Sequence, residues 1–327
     1  MNAIVRGLAG FAVLLSAGQA AGSTNKAEWI TEASGYILTQ MPQVDAFMWF
    51  NNYKPDMNEP DWRIVPDAPG VPDPTVIAAY NNAWHNGRTL QRGVFIDGAP
   101  PTFAKIDYFE GYVGHHDRIG WYHSLAEDFP LASVNEVLGR GSTPYIVWQP
   151  YDASFPHENA RNGPSRLQNI LDGDYDFRIQ QWAQEVKKVN GQVEISFGHE
   201  MNGNWFTWGF LNGHNGNTAA LYADAFRYVV DKFSFWGATN VDWVWCVNAS
   251  WQDDFSAAFP GIGYVDRMGM DGFNWGKQWP LDPNHPNWDD WREFEQIFGN
   301  WNGYSTYQTL IGLSQVPIIL GEFGTNV

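Results

Sequence analysis

The sequence predicts an α/β fold, a closed (β/α)8 barrel in a single domain, on three observations. Eight short runs rich in β-branched and aromatic residues recur along the chain. The segments between them carry apolar residues at helical spacing. Eight strands alternating with eight helices close a parallel barrel, and 327 residues suit one such barrel. The runs are Val44–Phe50, Gly93–Asp97, Ile119–His123, Pro144–Trp148, Val193–Phe197, Val241–Val247, Val265–Met270 and Val316–Leu320.

Helical patterns occupy most of the gaps between these runs. Tyr175–Val189 has apolar residues along one face and charges along the other, and a Gly at 191 helps to end it. Thr218–Phe235 has the same pattern, with Thr218 as its N-cap. An open doubly wound sheet is the alternative fold, but no strand is followed by the Gly-rich turn of a nucleotide-binding sheet. The other helical segments are Lys26–Met41, Thr75–Trp84, Asp289–Phe298 and Tyr304–Leu313.

Composition and charge exclude several classes of protein. The formal net charge is −17, and an acidic surface repels the phosphate backbone, so we expect no nucleic-acid partner. A hydrophobic share of 44% is too rich for a disordered chain. The 18 Trp residues need an explanation, because Trp packs into cores but also stacks on flat apolar ligand faces.

The amino-terminal segment, residues 1–21, is typical of a secretory signal peptide. Arg6 precedes the apolar run Gly7–Gly18, and small residues follow at the expected cleavage site. That run is too short to span a membrane, and no later stretch reaches about 18 apolar residues. We therefore expect a secreted protein without a membrane partner, whose residues 22–327 form the catalytic barrel. Cys246 is the single cysteine, so the fold has no internal disulfide.

Two glutamates follow predicted strands at the end where barrel enzymes place their chemistry. Glu200 comes after the fifth strand, and Glu322 comes after the eighth. A retaining glycosidase needs one carboxylic acid to protonate the leaving oxygen and one carboxylate to attack the sugar. The pair therefore indicates glycoside hydrolysis, although two unrelated solvated glutamates remain the alternative.

Other chemistries fit the sequence less well. A zinc-protease H-E-x-x-H motif that starts at His199 fails, because position 203 is Gly. No G-x-S-x-G motif is present, and Cys246 lies in the middle of an apolar run. We therefore expect no metal and no cofactor, and a monomer that acts on a polysaccharide.

Three segments carry a family resemblance. Phe197–Gly209 (FGHEMNGNWFTWG), Ile319–Gly324 (ILGEFG) and Gly269–Gly276 (GMDGFNWG) resemble motifs of glycoside hydrolase family 26, which are secreted retaining endo-β-glycanases with a (β/α)8 barrel. The resemblance implies that Glu200 is the general acid/base and Glu322 the nucleophile. The sugar-binding residues that it implies are His199, Asn202, Trp205, Trp275, Trp49, Phe273 and Trp148.

Two features depart from the family pattern. The nucleophile strand is normally the seventh of the barrel, whereas here it is the last, and residues 23–63 look like the helix and eighth strand that normally follow it. We expect a circular permutation that places this unit first, and a reading frame clipped from a tandem array is the alternative. At position 273 the family often has Tyr, and Phe273 lacks the hydroxyl that would lie near the nucleophile.

The expected function is that of a retaining endo-β-glycanase, with β-1,4-mannan as the first substrate hypothesis. Phe197-Gly198 and Trp148-Gln149-Pro150-Tyr151 look closer to the branch that cleaves mixed-linkage β-1,3-1,4-glucan, so this substrate stays open. A carbohydrate-binding protein without catalysis is a third hypothesis.

Overall fold

A closed ring of eight parallel strands forms the centre of the molecule. The computed structural model describes residues 25–55, 59–84, 88–249, 255–276, 291–300 and 303–326, so the predicted signal peptide lies outside the described residues. The strands follow one another around the ring in chain order, and β1 closes it against β8. This confirms the predicted barrel. The strands are β1 (Val44–Asn51), β2 (Gln91–Ile96), β3 (Arg118–Ser124), β4 (Thr143–Gln149), β5 (Val193–Phe197), β6 (Val241–Asn248), β7 (Arg267–Asn274) and β8 (Ile318–Thr325).

Eight α-helices surround the ring in the described part of the chain, but they are not distributed one to each gap. Two of them, α5 and α6, lie between β4 and β5. Between β6 and β7 the described residues contain only two short 3₁₀ turns, Phe255–Ala258 and Ile262–Tyr264, because Pro260, Gly261 and Gly263 disfavour a longer helix. The helices are α1 (Lys26–Gln40), α2 (Pro74–Ala83), α3 (Phe103–Val113), α4 (Leu131–Gly139), α5 (Leu167–Leu171), α6 (Asp176–Val186), α7 (Ala219–Phe235) and α8 (Thr306–Leu313).

Helix boundaries agree with local capping chemistry. The Thr218 side chain accepts a hydrogen bond from the Leu221 N–H, so Thr218 is the N-cap of α7, as predicted. The predicted helix 289–298 lies partly outside the described residues, and its described end is the π-helical turn Glu295–Gly299. None of the helices in the described ranges has the length and apolar character needed to cross a membrane.

Strand residues alternate between two cores. In β1 the side chains of Ala46, Met48 and Phe50 belong to the core inside the barrel, whereas Phe47 and Trp49 belong to the core between the barrel and the helices. This alternation follows from the two-residue period of a strand. It decides which aromatic side chains can reach the mouth of the barrel.

The amino end of the barrel is closed by paired charges. Arg118, at the start of β3, donates to both carboxylate oxygens of Glu194, with Nε–Oε2 and Nη2–Oε1 distances of 2.8 and 2.9 Å. Arg267 lies 3.4 Å from the same carboxylate and also pairs with Asp45. The Arg118 guanidinium also donates to the Gln91 side chain. The Arg118–Glu194 pair at the centre of this group is buried, so each ion has its partner where little solvent reaches it.

Candidate active site

The two predicted catalytic glutamates lie at the carboxyl end of the ring and are both buried, with 7% and 6% of their surface exposed. Glu200 is in the turn after β5, and Glu322 is inside β8, which extends further than the sequence pattern indicated. Glu200 has a φ of +51°, a left-handed conformation that costs free energy for a residue with a Cβ. Such strain is typical of functional positions.

A β-bulge turns Glu322 toward the barrel interior. Residue Leu320 pairs with Met270, but the next pair is Glu322 with Asp271, so Gly321 is an extra residue in β8. Both Gly321 and Glu322 then face inward, whereas Phe323 returns to the outer core. A Cβ on Gly321 would lie 2.5 Å from Asp271 Oδ1, so only glycine fits there.

Two hydrogen-bond donors hold the Glu200 carboxylate. The Asn248 amide donates to Oε1 at 2.7 Å, and the Trp205 indole N–H donates to Oε2 at 2.6 Å. Burial raises the pKa of Glu200, while these two donors and the charges of Arg161 and Lys54 oppose the rise. The result is a carboxyl group whose pKa lies above its ordinary value, as a general acid requires.

The Glu322 carboxylate has fewer partners. Its Oε1 is buried and has no hydrogen-bond partner among the described residues. Burial raises the pKa of Glu322, and the negative charge of Glu200 raises it further. The Tyr122 hydroxyl and the Lys54 ammonium act in the opposite direction. Burial and the charge of Glu322 also raise the pKa of Tyr122 well above its ordinary value, so its hydroxyl remains a donor.

His199 lies directly beside Glu322. Its Nε2 is 3.5 Å from Glu322 Oε1, and its ring packs against Phe206 at a centroid distance of 4.7 Å. Burial lowers the pKa of His199 to about 3, so the imidazole is neutral. Its buried Nδ1 has no partner among the described residues.

Asp271, on β7, is a third buried carboxyl group at the site. It accepts a hydrogen bond from the Cys246 thiol at 3.0 Å, and burial together with the charges of Glu322 and Glu200 raises its pKa well above the ordinary value. Among the described residues, His199, Asp271 and Glu322 form the one group of donor atoms close enough to hold a cation, within 4.8 Å of one another. We interpret this group as part of the sugar site, because it contains the predicted nucleophile and its neighbouring imidazole.

Aromatic side chains form one wall of the mouth. Phe273 packs edge-on against Phe50 at 5.3 Å and lies 4.8 Å from Trp62, and Trp62 meets Trp275 at 5.1 Å (centroid distances). Trp275 is 38% exposed at the rim. The structure therefore places the predicted residues Phe273 and Trp275 in this wall, and the buried rings of Phe50 and Trp62 support them from behind.

Two predicted sugar-binding residues do not reach the mouth, and those predictions are wrong. Trp49 is fully buried in the outer core, where it packs against Tyr80 of α2. Trp148 is also fully buried and stacks on Trp182 of α6 at 4.1 Å. Both occupy outward positions of their strands, so the strand period directs them to the helices.

Asn202 lies next to the site, but its side chain is hydrogen-bonded to the backbone of Asn248. Its side-chain N–H donates to the Asn248 carbonyl at 2.9 Å, and its oxygen accepts from the Asn248 N–H at 2.8 Å. The Asn248 side chain in turn donates to Glu200. Asn202 therefore positions the end of β6 and, through Asn248, the carboxyl group of Glu200.

Sequence reasoning missed several residues that the structure brings to the pair. The two-residue period of β1 and β3 alone could have indicated that Phe50 and Tyr122 point into the barrel. Asn248 directly follows the predicted strand Val241–Val247. A polar residue at that strand end is a signal that could have indicated it. Trp62 and Lys54 come from the Pro-rich segment after β1, which has no periodic pattern to place them.

An eight-stranded parallel barrel with two buried glutamates at its carboxyl end is an arrangement that suits glycoside hydrolysis. Residues 141–283 match the family model described as "Glycosyl hydrolase family 26". The chain belongs to glycoside hydrolase family 26.

Two relatives match over part of their length. Endoglucanase H of Acetivibrio thermocellus is 30% identical over 245 residues, which are 72% of this chain and 24% of that protein. A mannan endo-1,4-beta-mannosidase of Bacillus subtilis is 29% identical over 195 residues, which are 54% of this chain and 51% of that protein. The chain thus spans about a quarter and about half of these relatives.

Solved structures support the fold. A family 26 β-mannanase from Bacteroides ovatus superposes with a TM-score of 0.52 at 14% identity, covering 91% of this chain and 77% of that one. The family 26 domain of a Prevotella bryantii endo-β-mannanase/endo-β-glucanase gives a TM-score of 0.50 at 13% identity, covering 79% and 91%. At these identities the likeness concerns the barrel alone.

Proposed function

We propose that the protein is a retaining endo-β-glycanase that uses Glu200 as general acid/base and Glu322 as nucleophile. The observation that carries the proposal is the buried carboxyl pair at the mouth, in which the charge of Glu200 raises the pKa of Glu322. Phe273 and Trp275, the more exposed rings of the aromatic wall, offer apolar faces on which a sugar ring can stack.

The reaction proceeds in two displacements. In the first, Glu322 attacks the anomeric carbon, the glycosidic C–O bond breaks, and the Glu200 carboxylic acid gives its proton to the leaving oxygen. In the second, the Glu200 carboxylate takes a proton from water, the water oxygen attacks the same carbon, and the bond to Glu322 breaks. The product keeps the β configuration.

The first step requires a proton on Glu200 and a charge on Glu322. In the free protein Glu200 accepts two hydrogen bonds, whereas Glu322 Oε1 accepts none. These hydrogen bonds therefore favour the opposite arrangement, with the charge on Glu200 and the proton on Glu322. A bound sugar reverses this preference, because one of its hydroxyls donates to Glu322 and its ring excludes water from Glu200. Substrate binding thus prepares the pair for reaction.

The substrate that we propose is β-1,4-mannan, which agrees with the printed activity of the Bacillus subtilis relative. Mixed-linkage β-1,3-1,4-glucan is the second candidate, on the likeness of Trp148-Gln149-Pro150-Tyr151 and Phe197-Gly198 to that branch of the family. The name of Endoglucanase H, which matches 72% of this chain, agrees with a glucan in general. We also propose that the protein is secreted as a monomer. The circular permutation stays a prediction.

A parallel assay tests the function. Reducing-end release is measured on galactomannan, lichenan and xylan with the native protein, Glu200→Ala, Glu322→Ala and a surface control, Glu136→Ala on α4. We expect release from galactomannan that both site variants lose and the control keeps. Binding of a polysaccharide without release by the native protein would instead indicate a carbohydrate-binding protein and contradict the proposal.

A further inference from the structure

Residues 61–63, in the loop after β1, carry Trp62 into the aromatic wall. The Trp62 ring packs against Phe273 at 4.8 Å and against Trp275 at 5.1 Å (centroid distances). Trp62 is only 1% exposed, so it supports these two rings rather than meeting a ligand itself. The position of both rings therefore depends on the path of this loop segment.

Lys26 binds the backbone on both sides of Trp62. Its Nζ donates to the Asp61 carbonyl at 3.1 Å and to the Arg63 carbonyl at 2.9 Å. The Trp62 carbonyl between them accepts a hydrogen bond from the Trp49 indole N–H at 3.2 Å. Three successive carbonyls of the segment thus have a donor from α1 or β1, which fixes the place of the Trp62 ring.

The ammonium group of Lys26 lies where a charge is costly. Lys26 is the first residue of α1, the end at which the helix dipole disfavours a cation, and it is 4% exposed. Burial lowers the pKa of Lys26 to about 8, because taking the ammonium group out of water disfavours its charge. A protein keeps such a group where another requirement outweighs this cost.

Arg88 offers a matched case at the other end of α1. Its guanidinium donates to the carbonyls of Ile37 and Met41, both at 2.7 Å, where the helix ends. A cation suits the carboxyl end of a helix, and neither of these residues belongs to the aromatic wall. Arg88 therefore stabilises the helix itself, whereas Lys26 binds a segment outside the helix.

We propose that Lys26 is a positioning residue for substrate binding, which holds residues 61–63 so that Trp62 supports the sugar-stacking rings of Phe273 and Trp275. The inference rests on the sugar-binding part of the proposed function, because it explains how the proposed stacking surface is held in place. It gives α1, the first helix of the chain, a part in substrate binding.

The test is steady-state kinetics on soluble galactomannan for Lys26→Met, Lys26→Arg, Trp275→Ala and Lys26→Met combined with Trp275→Ala. Lys26→Met keeps an unbranched side chain of similar size but removes the donor. We expect KM to rise about threefold to tenfold at native kcat, as for the weakening of one aromatic contact. Lys26→Arg keeps a cationic donor and a KM near the native value. The double variant has the KM of Trp275→Ala, since both changes act on one surface.

Arg88→Met is the control, because it removes a cation that binds carbonyls at the other end of α1. It is expected to lower the Tm and to keep the native KM. If Lys26→Met does not fold, Lys26→Gln, whose amide keeps one donor, replaces it in the same comparison.

A native KM in the Lys26 variant, an equal rise in Arg88→Met, or additive effects in the double variant would overturn the inference, while the glycanase proposal stands. Native protein that releases no reducing ends contradicts the glycanase proposal alone, because binding of mannohexaose to the same variants still tests the role of Lys26.

Discussion

The two ends of the barrel treat buried charge in opposite ways. At the amino end, Glu194 accepts two hydrogen bonds from Arg118 and lies near Arg267. At the carboxyl end, Glu322 and Asp271 are as deeply buried, yet each has an oxygen without a partner among the described residues. At the amino end the buried carboxylate is paired with arginines. At the carboxyl end two buried carboxyl groups each keep an oxygen without a hydrogen bond from the described residues.

This difference separates stability from function. A buried carboxylate without partners costs free energy, and a protein keeps such a group where the reaction needs it. At the paired end, the Arg118–Glu194 ion pair joins β3 to β5. Substitutions at the two ends are therefore expected to affect different measurements.

The largest expected effect is on catalysis at the carboxyl end. Glu200→Ala and Glu322→Ala each lower kcat by at least ~10²-fold, because each removes a group that forms or breaks a bond. The free energy of unfolding does not fall for Glu322→Ala, since this substitution removes a buried carboxyl group with an oxygen that has no partner among the described residues. Steady-state kinetics and urea unfolding of the same preparations check both statements, and a Glu322→Ala variant that unfolds easily would contradict the comparison.

Glu194→Gln is the matched change at the amino end. It leaves the buried guanidinium of Arg118 without its counter-charge, so we expect a loss of about 3–5 kcal/mol in the free energy of unfolding. The kcat of the folded fraction stays native. A loss of kcat with native stability would show that the two ends are not separate in function.

Trp205→Phe has a smaller effect, on the acid/base. It removes the indole donor that stabilises the charged form of Glu200, so the pKa of Glu200 rises. The basic limb of the kcat profile moves to higher pH, and kcat falls roughly tenfold, as for the loss of one hydrogen bond to a charged group. Trp236→Phe, on the outer surface, is the control, and an identical profile in both variants would exclude this role.

The smallest expected effect is on the pH dependence of stability. The pKa of Glu322 is raised in the folded protein, so above about pH 4.5 the unfolded chain releases a proton that the folded protein retains. Stability due to this group therefore falls as the pH rises. Glu322→Gln removes this dependence, and its Tm relative to the native protein should be higher at pH 8 than at pH 5. An equal difference at both values would contradict the raised pKa.

Much of the barrel and of the catalytic pair could be predicted from the sequence, because strand patterns and strand-end carboxylates are local signals. The position of Trp49 and Trp148 near a strand end does not fix which way their side chains point. Neighbouring residues of a strand alternate between the core inside the barrel and the core under the helices, so a shift of one residue changes the core. The bulge at Gly321 interrupts that alternation. Trp62 and Lys54 reach the site through a loop, whose path depends on tertiary contacts.

Covalent trapping tests the central claim most directly. The native protein is incubated with a 2-deoxy-2-fluoro glycoside of its preferred disaccharide, which slows the second displacement, and the labelled peptide is sequenced by mass spectrometry. The proposed mechanism predicts one glycosyl group for each protein molecule, attached to Glu322, and no label in Glu322→Ala. A label on another residue, or a first product with inverted configuration, would contradict it.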